Sequence, residues 1–302
     1  MIRKLWIAAQ ALAAGVVLIY VAGSIAGNWV EIRGLGRAMR FDAGALAAAA
    51  AVILLTYALL IGAWRAVLLG WGERLRYPAA ARIWTVSNLA RYVPGRIWQI
   101  AGMAAMAQQA GVSPWAAAGS AIIVQLLAVA TGALVTALFA PGIQNAAAIA
   151  VAAAVSVAGV LALTHPRTTE LLASAFHRLS GRQLQLKPVA AGPLLLSAAV
   201  TAFAWVAYGV ALYFLAKGLL ASSGLDLPTA IGSFTGSYLL GLIFVFTPGG
   251  LGIREGAILL LLTGPIGPAA AAVVSLGSRI LMTGTELLAA LIALPLEHRR
   301  TE

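Results

Sequence analysis

Long apolar runs recur along this 302-residue chain and constrain its fold more than any other feature. A run of about 20 residues is long enough to cross a hydrocarbon core about 30 Å thick as a helix. Six such runs lie at about 5–26, 44–69, 114–139, 143–163, 193–216 and 268–294. We therefore predict an all-α polytopic membrane protein, with residues 1–302 forming a single integral membrane domain.

Composition supports this fold class and narrows the functions that the chain can have. Hydrophobic residues make up 62% of the sequence and charged residues 10%, against about 45–50% and about 25% in a soluble domain. The net charge of +11 raises nucleic acid as a partner, but the Lys and Arg residues lie in short loops between apolar runs. Nucleic-acid binding needs a basic patch on a solvated domain. We therefore expect the membrane, and no nucleic acid, as the partner of these charges.

Cysteine and histidine usage argues against metal and thiol chemistry. The chain has no cysteine, and its three histidines, His165, His177 and His298, lack the spacing of a metal site. No nucleotide-binding loop is present in the sequence either. We expect no metal and no cofactor.

The basic loops predict how the chain is oriented. Loops 70–82 and 164–192 and the tail at Arg299 and Arg300 lie on one side if six segments cross the membrane. The positive-inside rule makes that side cytoplasmic, which predicts cytoplasmic N- and C-termini in the cell membrane and a cytoplasmic polar loop at 164–192. The first run is longer than the apolar core of a signal peptide, so we expect an uncleaved anchor.

Two further apolar segments, 82–111 and 229–264, are broken by Pro-Gly turns. The turn residues are Pro94, Gly95, Pro248, Gly249 and Gly250. Proline removes a backbone donor and glycine permits a turn, and each half is too short to cross a membrane alone. We predict two re-entrant helical hairpins in addition to about six full transmembrane helices. Because three full spans separate them, they should enter from opposite faces, in an inverted-repeat arrangement.

Charged and polar residues gather around these turns and on the last predicted span. Each charge in a bilayer interior costs at least about 2.5–3.5 kcal/mol, so a group of charges indicates ion pairing or a function. Arginine exceeds carboxylate here, and guanidinium groups and helix N-termini both bind phosphate oxygens. The predicted lipid- or anion-binding residues are Arg91, Arg96, Arg254, Glu255, Arg279 and Glu286. The predicted secondary polar residues are Asn88, Gln99 and Ser278.

A structural interpretation of the same charges is also open. The ion pairs would then be Arg254–Glu255 and Arg279–Glu286, the second being two turns apart on one helix face. Arg91 or Arg96 could extend to the membrane interface. Small residues that we expect to allow close helix packing are Gly232, Gly236 and Gly241.

Two sequence strings carry a resemblance to a known family. They are NLARYVPGRIWQIAGMAAMAQQAGV at 88–112 and FTPGGLGIREG at 246–256, followed by Ser278-Arg279 on the last span. They resemble the lysylphosphatidylglycerol synthase transmembrane region family, and the resemblance covers about Leu5 to Leu294. It implies a flippase-like membrane domain that can be dimeric. The soluble aminoacyl-transferase domain of the multi-domain members is not found in this sequence, so no synthase activity is expected.

The leading functional hypothesis is a lipid flippase or transporter rather than an enzyme. It would move the headgroup of an anionic, aminoacylated or glycosylated phospholipid, or of a polyprenyl phosphate, across the membrane. One alternative is a non-transporting accessory subunit of a glycolipid pathway. Another is a membrane-embedded lipid-phosphate transferase, for which Glu255 and Glu286 are the only carboxylates predicted at depth. The expected partners are a phospholipid or lipid-linked substrate, the membrane and a second copy of the chain in a homodimer.

Overall fold

A computed structural model describes residues 41–92, 97–142, 145–180, 188–220, 223–243, 250 and 252–297. Within these residues the chain is all helical, with ten α-helices and no strand, which confirms the predicted fold class. The helices are α1 (Ala43–Gly70), α2 (Tyr77–Leu89), α3 (Ile97–Gln109), α4 (Pro114–Phe139), α5 (Ala146–Ala162), α6 (Pro166–Ser180), α7 (Ala191–Leu219), α8 (Leu227–Ile243), α9 (Ile253–Ile266) and α10 (Pro268–Ala293). Single 3₁₀ turns follow α2 (Ala90–Tyr92) and α10 (Leu294–Glu297).

Four helices in the described part of the chain are long and apolar enough to cross a membrane. They are α1, α4, α7 and α10, and they match the predicted spans at 44–69, 114–139, 193–216 and 268–294. The 17-residue α5 meets the same criteria only together with α6, from which it is bent by 92°. The predicted span at 5–26 lies outside the described residues. The protein is a multi-pass membrane protein, and the arrangement of six spans plus two hairpins stays a prediction.

The polar stretch predicted as a loop at 164–192 is helical over half its length. The 15-residue α6 is amphipathic and carries His177 and Arg178 in its last turn, while Leu171 is exposed. It turns sharply away from the apolar α5. Residues 166–180 therefore form an amphipathic helix where the sequence predicts a loop.

Short polar residues explain where several helices begin. Asp42 Oδ1 accepts hydrogen bonds from the backbone N–H groups of Gly44 (2.9 Å) and Ala45 (3.1 Å) at the start of α1. Ser113 and Asn145 cap α4 and α5 in the same way. Such caps satisfy N–H groups that have no partner within the helix.

Backbone contacts identify which helix ends lie together. At one end of the bundle the Asp42 N–H donates to the Gly218 carbonyl (3.0 Å), which joins the start of α1 to the end of α7. At the other end the Ser113 N–H donates to Glu73 Oε2 (3.4 Å), which joins the end of α1 to the start of α4. We call these the Asp42 end and the Glu73 end.

The first broken segment leaves and returns at the Glu73 end, because Glu73 and Ser113 flank the pair formed by α2 and α3. Helix α2 runs back beside α1, where the Trp84 ring packs on Tyr57 at a centroid distance of 5.4 Å. Tyr57 lies halfway along α1. Helix α2 therefore reaches the middle of the bundle.

The second broken segment, formed by α8 and α9, belongs to the Asp42 end. Near its start, a Cβ added to Gly232 would lie 2.2 Å from the Phe139 carbonyl carbon at the end of α4. This confirms the predicted close packing at Gly232, which requires a residue without a side chain. After α9, a Cβ added to Gly277 on α10 would lie 2.7 Å from Leu219 Cδ1 at the end of α7. The two helix pairs thus approach each other from opposite ends of the bundle.

Candidate functional site

Arg91, in the 3₁₀ turn that follows α2, contacts both α8 and α10. Its Nη1 lies 2.9 Å from Glu286 Oε1 on α10 and donates to the Tyr238 hydroxyl on α8 at 3.3 Å. Its Nε donates to the Asn88 carbonyl (3.2 Å). One guanidinium group therefore links the first hairpin, the second hairpin and the last span.

Two amides connect the halves of the first hairpin. Gln99 Nε2 on α3 donates to Asn88 Oδ1 on α2. Asn88 is only 3% exposed, and its Nδ2 is buried without a hydrogen-bond partner among the described residues. The two predicted secondary polar residues thus lie together, and one of them retains an unsatisfied donor.

Arg254 occupies the first turn of α9, as the sequence predicts. Its guanidinium carbon lies 5.0 Å from the centroid of the Phe234 ring and 4.6 Å from that of Tyr238, and both rings belong to α8. The residue is 7% exposed. In the described part of the chain it forms no ion pair, and its Nη2 is buried without a hydrogen-bond partner. A buried arginine that packs on aromatic rings and has an unsatisfied donor among the described residues is a candidate anion ligand.

Glu255 has a different position from its neighbour Arg254. Its Oε1 lies 3.4 Å from Arg279 Nη1, and its Oε2 accepts a hydrogen bond from the Gly252 N–H. The Ser275 hydroxyl donates to its backbone carbonyl (2.8 Å). Glu255 therefore caps the start of α9 and ties it to α10.

The ion pairs differ from those proposed as the structural interpretation of the sequence. Glu255 pairs with Arg279 instead of Arg254, and Glu286 pairs with Arg91 instead of Arg279. The reason is that α2, α9 and α10 pack around one interior point, so carboxylates find arginines on other elements. Arg254 is left facing rings rather than a carboxylate.

A cavity of about 200 Å³ lies between the two hairpins and the last span. Its polar lining residues are Arg91, Gln99, Gln125, Tyr238, Arg254, Arg279 and Glu286. Among the described residues, the cavity and its edge contain three arginines and two glutamates, which gives a net charge of one positive. The arginines are Arg91, Arg254 and Arg279, and the glutamates are Glu286 and Glu255. A low-dielectric site with this excess favours an anion.

A second cavity of about 120 Å³ adjoins the first. The two share Arg91, Gln99, Ala121, Gln125, Tyr238, Met282 and Glu286. The second cavity is richer in rings, since Tyr57, Trp64, Trp84, Trp205 and Tyr208 line it together with Asn88. We call the two the arginine cavity and the aromatic cavity.

The model of the lysylphosphatidylglycerol synthase transmembrane region family matches residues 6–290, nearly the whole chain. The chain belongs to this family. No curated protein matches it. Membership of the lysylphosphatidylglycerol synthase transmembrane region family indicates a membrane function related to lipids.

The turns that carried the resemblance to the lysylphosphatidylglycerol synthase transmembrane region lie mostly outside the described residues. These positions are Pro94, Gly95, Arg96, Pro248 and Gly249. Gly250 is described and lines the arginine cavity. Its φ of +71° is a conformation that residues with a side chain rarely adopt. A Cβ there would meet the Gly241 Cα at an ordinary contact distance of 3.4 Å, so the backbone conformation rather than crowding favours glycine at this turn.

Ser278 is a predicted residue that satisfies its hydrogen bonding within its own helix. Its hydroxyl donates to the Ser275 carbonyl (2.8 Å), and Ser278 does not line either cavity. In this member of the lysylphosphatidylglycerol synthase transmembrane region family, Ser278 therefore contributes to the local geometry of α10 beside Arg279.

Sequence reasoning missed Gln125 and the aromatic residues of this family member's interior. Gln125 lines both cavities from α4. Its signal in the sequence is an amide in the middle of an apolar span. Exposing such a polar residue to lipid is energetically unfavourable, so it is expected to face the protein interior. The rings of Tyr57, Trp205 and Tyr208 carry no comparable signal, because aromatic residues occur throughout the spans.

Proposed function

We propose that the protein is a lipid flippase or transporter that passes an anionic headgroup through the arginine cavity. The observation that carries the proposal is the buried Arg254 guanidinium, held on two rings, with one donor atom unsatisfied among the described residues. A buried charged donor without a hydrogen-bond partner raises the free energy of the folded protein, and binding of an acceptor removes this penalty. A phosphate oxygen is the acceptor that a lipid supplies.

The geometry around Arg254 suits a phosphate more than other lipid groups. The Arg254 guanidinium carbon lies 5.0 Å from the Phe234 ring centroid and 4.6 Å from the Tyr238 ring centroid. A guanidinium group binds phosphate oxygens through paired N–H groups. Arg279 lines the same cavity, although Glu255 offsets its charge. The headgroup would lie between the hairpins while the acyl chains remain in the bilayer.

The same contacts support transport over covalent chemistry. Glu286 is engaged with Arg91, and Glu255 is engaged with Arg279 and the Gly252 N–H. A general base needs a carboxylate that is available to take a proton. We therefore propose that the chain is not an enzyme.

The proposal includes the cell membrane as the location and an orientation of the chain that is based on its basic loops. We place the protein in the cell membrane with cytoplasmic termini, so that the Glu73 end faces the cytoplasm and the Asp42 end faces outward. The basic Arg74 and Arg76 lie beside Glu73 in the sequence, which agrees with the positive-inside rule. Homodimer formation is proposed as well, and native mass spectrometry would test it.

Lipid translocation in liposomes tests the proposal directly. The purified protein is reconstituted with phospholipids that carry a fluorescent acyl chain, and exchange between leaflets is followed by quenching from outside. We expect Arg254→Gln to slow translocation by about 10- to 100-fold, because a hydrogen bond to a charged group contributes about 1.5–3 kcal/mol. Arg178→Gln, which removes an exposed cation on α6, is the matched control and should translocate like the wild type.

Two outcomes would overturn the assignment. Equal translocation rates for the two variants, with equal thermal stability, would remove Arg254 from the pathway. Lipid binding by a wild-type protein that does not translocate lipid would favour the accessory-subunit alternative.

A further inference from the structure

We infer that the aromatic cavity binds a polyhydroxylated headgroup, such as a sugar or a polyol, beside the phosphate held at Arg254. This inference rests on the proposed function and names the class of lipid that the site accepts. The two cavities adjoin and share Arg91, Gln125 and Tyr238, so one headgroup can occupy both.

The unsatisfied amide of Asn88 is the first observation. Asn88 lines the aromatic cavity and is almost fully buried, and its Oδ1 already accepts from Gln99. Its Nδ2 is a donor with no hydrogen-bond partner in the described part of the chain. A buried donor requires an acceptor. A hydroxyl or ether oxygen accepts a hydrogen bond, whereas an ammonium group has only donors and leaves Asn88 unsatisfied.

The charge balance of the cavity is the second observation. Glu286 is the only carboxylate in the described lining of the aromatic cavity, and Arg91 Nη1 lies 2.9 Å from its Oε1. The charge of Glu286 is therefore already balanced by Arg91. An ammonium headgroup in this cavity would lie close to the positive Arg91 guanidinium. A neutral, hydroxylated group meets no such repulsion.

The walls of the cavity are the third observation. The indole N–H groups of Trp64 and Trp205 donate to the Ser120 hydroxyl (2.8 Å) and the Ala128 carbonyl (2.9 Å). Their rings therefore offer apolar surface, against which the C–H face of a sugar or polyol can pack while amides contact its hydroxyls. The volume of about 120 Å³ is several times what one water needs.

Binding of short-chain phospholipids to the purified full-length protein tests this inference. The probes are dioctanoyl forms of phosphatidic acid, phosphatidylinositol, phosphatidylglycerol and phosphatidylethanolamine, and the readout is the dissociation constant from native mass spectrometry. Asn88→Leu keeps the branched side-chain shape but removes the Nδ2 donor together with the Oδ1 acceptor for Gln99. We expect it to weaken binding of the inositol or glycerol lipid by about 3- to 10-fold and to leave phosphatidic acid and phosphatidylethanolamine within about twofold.

The lipids separate the two sources of hydroxyl chemistry. A larger loss for phosphatidylinositol assigns a cyclic headgroup, and a larger loss for phosphatidylglycerol assigns an open chain. Asn88→Asp is the second variant, because it retains the acceptor for Gln99 but removes the donor. If Asn88→Leu does not fold, Asn88→Asp takes its place. We expect Asn88→Asp to weaken binding of the polyol lipid more than binding of phosphatidic acid.

The inference fails if the Asn88 variants weaken all four lipids equally or none of them. Failure of the proposed function gives a different result, since Arg254→Gln would then leave the affinity for phosphatidic acid unchanged. If Arg254→Gln loses phosphatidic acid binding while the Asn88 variants affect all four lipids equally, the anion site is supported. The polyol subsite is then rejected.

Discussion

Arg91 and Glu286 form an ion pair of 2.9 Å although 195 positions separate them in the sequence. Arg91 lies at the tip of the first hairpin and Glu286 lies on the last span. The Tyr238 hydroxyl of the second hairpin contacts the same Arg91 nitrogen (3.3 Å). This pair forms only when the turn after α2 packs against α10, and the Tyr238 contact adds α8 to the same cluster.

Removing one partner of this pair should destabilise the fold. We expect Glu286→Gln to lower the unfolding free energy by about 3 kcal/mol, because it leaves the Arg91 guanidinium partly buried without its counter-charge. Thermal unfolding in detergent, followed by fluorescence, measures the effect. Glu170→Gln, at an exposed position on α6, is the control and should unfold like the wild type. A double variant with Arg91→Gln that is no more stable than Glu286→Gln would count against coupling between the two residues.

Glu255 offers a way to change the charge of the arginine cavity while keeping its helix cap. Glu255→Gln retains an oxygen for the Gly252 N–H but removes the charge that offsets Arg279. We expect this variant to bind dioctanoyl phosphatidic acid about 3- to 10-fold more tightly, since the net positive charge of the cavity rises by one. Weaker binding than that of the wild type would contradict the charge assignment.

Glu255→Ala gives the matching comparison for stability. It removes the cap as well as the charge, so we expect a further loss of about 1 kcal/mol in unfolding free energy relative to Glu255→Gln. Thermal unfolding in detergent measures both variants. Equal stabilities would mean that the contact of Glu255 with the Gly252 N–H contributes little.

Close packing of α8 on α4 depends on Gly232. Even Gly232→Ala would place a Cβ 2.2 Å from the Phe139 carbonyl carbon, and backbone has little freedom to move away. We expect a loss of about 3 kcal/mol or more, seen as poor recovery of folded protein in size-exclusion chromatography. Gly284→Ala is the control, because no atom lies within 4 Å of the added Cβ, and it should be neutral within about 1 kcal/mol. Normal folding of Gly232→Ala would show that the helices can separate at little cost.

The opposite entry of the two hairpins can be tested by cysteine labelling, since the chain contains no native cysteine. Arg74→Cys and Gln109→Cys flank the first hairpin, and Ser223→Cys and Gly264→Cys flank the second. We expect the first two to react with an impermeant maleimide only when the cytoplasmic face is open. The second two should react from outside in intact cells. Labelling of Arg74→Cys and Gln109→Cys from different sides would make α2 and α3 a crossing segment rather than a hairpin.

Most of the membrane spans could be predicted from the sequence, because the length of an apolar run is a local property of the chain. The predicted spans at 114–139 and 268–294 match α4 and α10 closely, and the turn glycine Gly250 lies beside the cavity. The polar stretch at 164–192 was less accessible, because its polar composition indicates a loop although residues 166–180 form the amphipathic α6.

The charged residues could be named from the sequence, but their partners could not. Arg254 and Glu255 are adjacent in the chain, yet Arg254 packs on rings from α8 and Glu255 pairs with Arg279. Adjacent residues on a helix point in directions about 100° apart, so each meets a different neighbouring element. Partner choice therefore depends on how the elements are rotated against one another.

The aromatic cavity was the least accessible feature. Tyr57 and Tyr208 lie on helices that are about 150 residues apart in the sequence, and nothing local distinguishes them from rings at the membrane interface. By itself, the sequence determined that this chain is a multi-pass helical membrane protein with breaks at two Pro-Gly turns, because span length and turn chemistry are local. Only the tertiary structure decided that Arg91 pairs with Glu286, that Arg254 packs on two rings of α8, and that an aromatic cavity adjoins the arginine cavity. These relationships depend on contacts between elements far apart in the chain.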